Sequence, residues 1–243
     1  MDAAALPSQM NAEFISAVTG GRSELVKILL ADPRVNPGVG DNCGIRRAAC
    51  EGYNDILKML LEHPKVDPGA DNNAAIRLAC DQNRTEAVRL LLADPRVDPC
   101  ALDNYALSWA AIYGNVECIK LLITHPRICL NNIHLINWSS MHNQIEIIKI
   151  LLADPCVDIA YMRNHAIRTA SKWGHHELVS LLLDHFRYSI NIHDYIRIKS
   201  KISPAINEIW VNHIIKYKWC FDTFLAQHLI ADLGVLIIQF INN

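Results

Sequence analysis

No charge of either sign dominates this sequence. Its 23 Lys and Arg stand against 25 Asp and Glu in 243 residues, a formal net charge of −2. A dedicated nucleic-acid binder would carry a strong basic excess, so nucleic acid is not the expected partner. There is no phosphate loop, no G-x-S-x-G and no H-E-x-x-H, so neither an enzyme nor a cofactor is expected. The opening MDAAALPSQM has no basic stretch followed by an apolar run, which excludes a secretory signal there. Cysteines at 43, 50, 80, 100, 118, 129, 156 and 220 include no C-x-x-C pair. They read as small packing residues and reduced thiols, with no disulfide and no metal. The expected compartment is cytoplasmic, with the nucleus also open.

What the sequence has in plenty is apolar residues, 51% of the chain, and repetition. LVKILLADPRVNP, ILKMLLEHPKVDP, AVRLLLADPRVDP, CIKLLITHPRICL and IIKILLADPCVDI are variants of one string. An acidic residue stands at the head of each copy: Glu24, Asp55, Glu86, Glu117, Glu146 and Glu177, spaced 31, 31, 31, 29 and 31 apart. Nine residues on come Pro33, Pro64, Pro95, Pro126 and Pro155, with Phe186 the exception. Ten residues before the acid stands a large apolar residue: Phe14, Ile45, Ile76, Leu107, Ile136 and Ile167. Seven before stands a small one: Ala17, Ala48, Ala79, Ala110, Ser139 and Ala170. Agreement at four positions in six copies marks a repeat architecture.

Residues 104–126 show how one unit works. Asn104 is a suitable N-cap, its side-chain oxygen able to accept from a first-turn N–H. Leu107, Ala110 and Ala111 follow at helical spacing. Gly114 ends this first helix, as glycine does past a C-terminus. Glu117 opens a second helix at its positive dipole end, with Ile119, Leu121 and Leu122 as packing residues. Pro126 closes it. The Asp- and Pro-bearing stretch between units, Pro95–Asn104 here, reads as an extended turn. Such a pair cannot bury both faces alone, so neighbours must stack.

The pattern A-A-x-x-G-x-x-E-x-x-x-L-L, as in Ala110–Leu122, resembles the ankyrin repeat. The family's period of 33 is shortened to 31, and its T-P-L-H start gives way to Asn-x-Ala-Ile-Arg at Asn73–Arg77 and Asn164–Arg168. Asp-Pro or His-Pro replaces the usual glycine after the second helix, so the projecting fingers should be short. The style is similar to ankyrin arrays of large DNA viruses of amoebae. The resemblance implies an all-α fold, an ankyrin-type helix-turn-helix solenoid of about six repeats with a helical C-terminal cap. Residues 1–193 form the array and residues 194–243 a degenerate repeat or helical cap. It also implies a non-catalytic scaffold that binds another protein, acting as a monomer. The alternative is a substrate adaptor for a ubiquitin ligase or similar machine, recruited through the C-terminal segment, where Pro204, Glu208 and Ile209 resemble the start of such a motif.

The first unit begins near Asn11 without the full start motif and reads as a cap. In the fifth, Ile133 replaces the asparagine. Glu208 continues the spacing 31 residues after Glu177, but Pro204 falls where a regular first helix would run. Trp219–Ile241 is apolar, yet Asp222, Gln227, His228, Asp232 and Gln239 interrupt it. A membrane tail needs about 20 apolar residues and each central Asp costs about 3 kcal/mol, so a capping helix is expected and a membrane is not.

His63, His125 and His185 share one register. Helices ~8–10 Å apart put them too far from each other for common metal ligation, and they are expected as partly cationic residues at second-helix ends. His175, beside Gly174, matches the family's structural Gly-His position. Arg34, Lys65, Arg96, Arg127 and Arg187 recur in one register, and Arg46, Arg77 and Arg168 in another. They either pair with carbonyls and with Asp67, Asp98 and Asp158 or form a stripe for an acidic partner. Trp109 and Trp138 fall just before the small residues and are expected in the core. In the family, the two residues before the glycine register project from the concave face and contact partners. Here they are Cys50 and Glu51, Asp81 and Gln82, Ile112 and Tyr113, Met141 and His142, Lys172 and Trp173. The first two pairs are polar. The last three carry a large aromatic or Met, so Ile112, Tyr113, Met141, His142, Lys172 and Trp173 are the candidate partner-binding residues.

Overall fold

A computed structural model describes residues 5–128, 133–154, 159–185 and 201–216. Among the described residues there are thirteen α-helices and no strand. Repeat one is α1 (Ala5–Thr19) and α2 (Ser23–Leu30), and repeat two is α3 (Val39–Glu51) and α4 (Asn54–Glu62). Repeat three is α5 (Ala70–Asp81) and α6 (Thr85–Leu92), and repeat four is α7 (Ala101–Tyr113) and α8 (Val116–Ile123). Repeat five is α9 (Ile133–Met141) and α10 (Ile145–Ala153), and repeat six is α11 (Ile159–Trp173) and α12 (His176–His185). The last helix is α13 (Pro204–Lys216). Contacts divide the chain into two compact units, Met1–Leu135 and Ile136–Asn243.

In the first unit, first helices pack on first helices (α1 on α3, α3 on α5, α5 on α7) and second on second (α2 on α4, α4 on α6, α6 on α8). The small residues explain the first layer. Ala17, Ala48, Ala79 and Ala110 are fully enclosed, with Phe14, Ile45, Ile76 and Leu107 beside them. In the second layer the buried residues are those one, two and five places after the acid: Ile56, Leu57 and Leu60; Ala87, Val88 and Leu91; Cys118, Ile119 and Leu122. Leu121, expected in this core, stands one position off and is only half-buried. At 3.6 residues per turn, the positions at +1, +2 and +5 share a face and +4 lies at its edge. Burying each leucine fully contributes about 1.5–3 kcal/mol.

The turn between the paired helices needs a left-handed residue. Gly21, Gly52, Gly114 and Gly174 supply it at φ 64°, 76°, 74° and 77°, and Asn83 and Asn143 take the same place at 54° and 56°. Asparagine is the side chain that best tolerates this region. A second left-handed stretch kinks the first turn of three first helices: Gly40–Asn42, Asp71–Asn73 and Leu102–Asn104 all have φ between 52° and 61°. This corrects the role expected for Asn104. The asparagine of this register does not cap its own helix. Its Oδ1 accepts the backbone N–H 25 residues ahead, in the next loop: Asn11 from Asn36 at 2.7 Å, Asn42 from Asp67 at 2.8 Å, Asn73 from Asp98 at 2.6 Å. Asn104 Oδ1 is buried without a hydrogen-bond partner, and residue 129, which stands 25 further on, lies outside the described residues.

A second set of ties runs backward. The residue after the left-handed turn reaches to the end of the preceding first helix. Arg84 Nε donates to the Cys50 carbonyl at 3.0 Å and Asn115 Nδ2 to that of Cys80 at 2.6 Å. In the second unit, His175 Nε2 donates to the Met141 carbonyl at 2.8 Å, the structural role expected of it. These bonds satisfy carbonyls that a helix end leaves open.

The second unit keeps the same registers, with Ile136, Ile147, Ile148, Leu151, Ile167, Ala170, Leu178, Val179 and Leu182 buried. Serine takes small positions here, and Trp210 of α13, which packs on α12, donates from Nε1 to Ser171 Oγ at 2.9 Å in a fully buried contact. Pro204 is the first residue of α13 rather than a break inside a helix, and the Ile206 N–H bonds Ser203 Oγ at 3.3 Å.

Candidate functional site

The six candidate residues are all accessible. In the first unit, Ile112 is half-buried and Tyr113 is 54% exposed. In the second, Met141 is half-buried, His142 and Lys172 are exposed, and Trp173 is 54% exposed. None belongs to the leucine core. His142 stacks on Trp138, centroids 6.2 Å apart.

Two tryptophans expected in the core are instead on the surface of their helices. Trp109 and Trp138 are both half-buried, because they stand one place before the enclosed small residue and so at the edge of the buried face. The consequence for α7 is a continuous aromatic ladder. Tyr105, Trp109 and Tyr113 stand four residues apart on one face, with centroid separations of 5.4 Å and 5.5 Å. Arg77 of α5 caps its far end, its guanidinium carbon 5.2 Å from the Tyr105 ring centroid. Tyr105 and Arg77 were not among the candidates. The signal was the i, i+4, i+8 spacing of aromatic residues.

Arg34, Arg46, Arg77, Arg96 and Arg127 of the two basic registers are engaged within the structure, and Arg187 lies outside the described residues. Arg96 donates to the Val66 carbonyl at 3.0 Å and the Leu61 carbonyl at 2.7 Å, and bridges Asp94 at 2.6 Å. Arg34 does the same with Asp32, whose carboxyl is held at about 2 by hydrogen bonds from Arg34. Arg127 pairs with Asp98 at 3.1 Å and Arg46 with Asp71 at 2.6 Å. Asp67 differs from expectation: its Oδ1 accepts the Gly69 N–H at 2.9 Å, an Asx turn. Asp158 lies outside the described residues.

The histidine register is corrected too. His63 Nδ1 accepts the Lys65 N–H at 3.1 Å and His125 Nδ1 the Arg127 N–H at 3.4 Å. Asp32 and Asp94 accept the same bond at their second-helix ends. An accepting Nδ1 carries no proton, so His63 acts here as a neutral acceptor and not as a cation on the dipole. Burial and the Lys65 ammonium hold His63 below its ordinary value.

Among the described residues, no group of three or more His, Cys, Asp or Glu could hold a metal ion. The free thiol of Cys118 is pushed down by a hydrogen bond with Cys80 and by Thr85, and Cys80 is pushed up by the same bond and by burial. Both sulfurs are fully enclosed, so neither is placed to meet a substrate. No helix among the described residues is long and apolar enough to cross a membrane. Trp219–Ile241 lies outside them.

Stacked helix pairs of 31 residues, joined by a left-handed turn and tied loop to loop, define a helical repeat scaffold. The chain belongs to the ankyrin repeat family: the family pattern, ankyrin repeats in three copies, matches residues 14–103 and 107–194. The crystal structure of the human ASB11 ankyrin repeat domain is similar in fold, with a TM-score of 0.65 at 15% identity over 82% of this chain and 96% of that one. No curated protein sequence matches.

Proposed function

We propose that this protein is a non-catalytic protein-binding scaffold whose partner docks on the outward face of the first helices. The observation that carries this reading is Tyr113 and Trp173, each 54% exposed at a helix end where repeats two and three have Glu51 and Gln82. The fold does not demand an aromatic residue there, and aromatic residues are enriched at interface cores and binding hot spots. In the first unit the patch is Tyr105, Trp109, Ile112 and Tyr113. In the second it is Met141, His142, Lys172 and Trp173. The ankyrin repeat family to which the chain belongs is an interaction module, which supports this reading.

The test is to identify partners by affinity purification and then measure affinity and melting temperature together. Tyr113→Ala and Trp173→Ala should each cost about 2 kcal/mol or more of binding, as hot-spot residues do, and little stability. Gln82→Ala should matter less to binding. A Trp173→Ala variant that melts far below wild type would show the residue to be core. Unchanged affinity and melting in both aromatic variants would place the partner elsewhere.

A further inference from the structure

The α7 ladder is chemically lopsided, and its asymmetry points to what it takes. At one end the chain itself supplies the ligand. The Arg77 guanidinium lies over Tyr105 while its N–H groups donate to the Asn72 carbonyl at 3.1 Å and the Asp71 carbonyl at 2.8 Å. That is a stacked guanidinium held by carbonyl oxygens. From Tyr105 the rings continue through Trp109 to Tyr113, and the last ring is left open to solvent.

The surroundings of that open ring favour positive charge. α3, α5 and α7 pack side by side in one layer, all running toward this edge, so their negative dipole ends gather there. Donors already occupy two of these ends. One of them is a guanidinium, Arg84 on the Cys50 carbonyl, and the other is the Asn115 amide on that of Cys80. Carboxylates stand on the same edge. Asp81 ends α5, in the register of Ile112, one helix spacing of ~8–10 Å from the ladder. It accepts from the neutral Gln82 amide at 2.9 Å. Glu51 stands one helix further, bridged to Arg47 at 3.2 Å with both side chains more than a third exposed, a weak pairing in water.

We propose that Trp109 and Tyr113, together with Asp81, receive an arginine side chain of the bound protein partner. This rests on the docking reading above. A planar guanidinium can stack on the rings as Arg77 does while donating to the carboxylate, which an ammonium does less well. A nucleic acid or an acidic peptide would meet Asp81 and the helix ends as repulsion.

The experiment is a selection of random linear peptides displayed on phage against the immobilised full chain at low ionic strength. Synthetic copies of the winners are then titrated by fluorescence anisotropy. The enriched peptides should carry arginine. Replacing it with isosteric, uncharged citrulline should weaken binding about 3- to 30-fold, and lysine should fall between. Asp81→Asn and Tyr113→Ala should each weaken the arginine peptide in the same range, with unchanged melting. Once Asp81 is Asn, the arginine–citrulline difference should shrink. Peptides that need Tyr113 but no cation, or that bind equally with citrulline, would overturn this proposal and leave the docking reading standing. Peptides indifferent to both Tyr113→Ala and Trp109→Leu, or a selection that enriches nothing, would overturn both.

Discussion

Repeats three and four are built on one backbone and differ in what they carry on it. Both bury the same three positions of the second helix, Ala87, Val88 and Leu91 against Cys118, Ile119 and Leu122. Both close the helix turn with a left-handed residue, Asn83 in one and Gly114 in the other. Along the row of the first helix that carries the ladder they diverge completely. Repeat three has the buried Ala74, the half-buried Leu78 and the exposed Gln82 where repeat four has the half-buried Tyr105 and Trp109 and the exposed Tyr113. The contrast separates what stacking requires from what it leaves free. Enclosed positions must match a neighbour's shape at close-packed density, whereas outward positions answer only to water or to a partner.

The largest test of that contrast lies in the shared core. Leu122→Ala should cost about 2–5 kcal/mol, as should Leu91→Ala, read by urea denaturation. Leu121→Ala, one place away and half-buried, should cost less than half as much. Equal losses at 121 and 122 would mean the packing register is misplaced. Because each repeat touches only its neighbours, the transition in the core variants is expected to broaden.

The asparagine ties come next. Asn73 holds the Asp98 N–H, whereas Asn104 has a buried oxygen with no bond. Alanine at either position loses the same left-handed preference, so the difference between the variants isolates the tie. Asn73→Ala should be less stable than Asn104→Ala by about 1–3 kcal/mol, the usual penalty for orphaning a partly buried donor. Similar losses would show that the loop-to-loop bond contributes little.

A smaller effect is expected at the first left-handed position, where repeat three has Asp71 and repeat four has Leu102. Leucine has no polar side chain to ease that conformation, and Leu102 is 51% exposed, so it buries little in return. Leu102→Asp should raise stability by about 0.5–1 kcal/mol and Asp71→Leu should lower it. A rise in melting temperature for the second variant would sink the argument.

The smallest effect separates repeats two and three at the second-helix end, where His63 stands in the register of Asp94. The His63 pKa is lowered from 6.5, chiefly by burial and then by Lys65. The folded state therefore favours the neutral ring. Its contribution is fully present above 6.5 and is lost as pH falls below that value toward the folded pKa. Asp94, lowered from 3.8 by its Arg96 hydrogen bond, stays ionised through that window. His63→Asp should therefore melt with less acid sensitivity than wild type between neutral and mildly acidic pH. Parallel melting curves across pH would exclude His63 as a contributor.

The repeat period, the acidic helix starts, the small-residue register and the turn position could all be read from spacing, because each recurs and each reflects a local backbone need. The six candidate residues stand in the register that the family resemblance points to; Tyr113, His142, Lys172 and Trp173 are exposed there and Ile112 and Met141 half-buried. Leu121, Trp109 and Trp138 could not be placed from spacing alone. They sit at the edge of the buried face, where one residue is 100° of helix and a neighbour's position decides between core and surface. The asparagine register looked like a cap because caps are local and single sequences show local partners. Its true partner stands 25 residues away, brought there only by stacking. The same holds for the Arg77–Tyr105 contact between α5 and α7. A sequence states which groups a chain owns and how they repeat along one helix. Which donor meets which acceptor across repeats depends on the distance between helices, and only packing sets that distance.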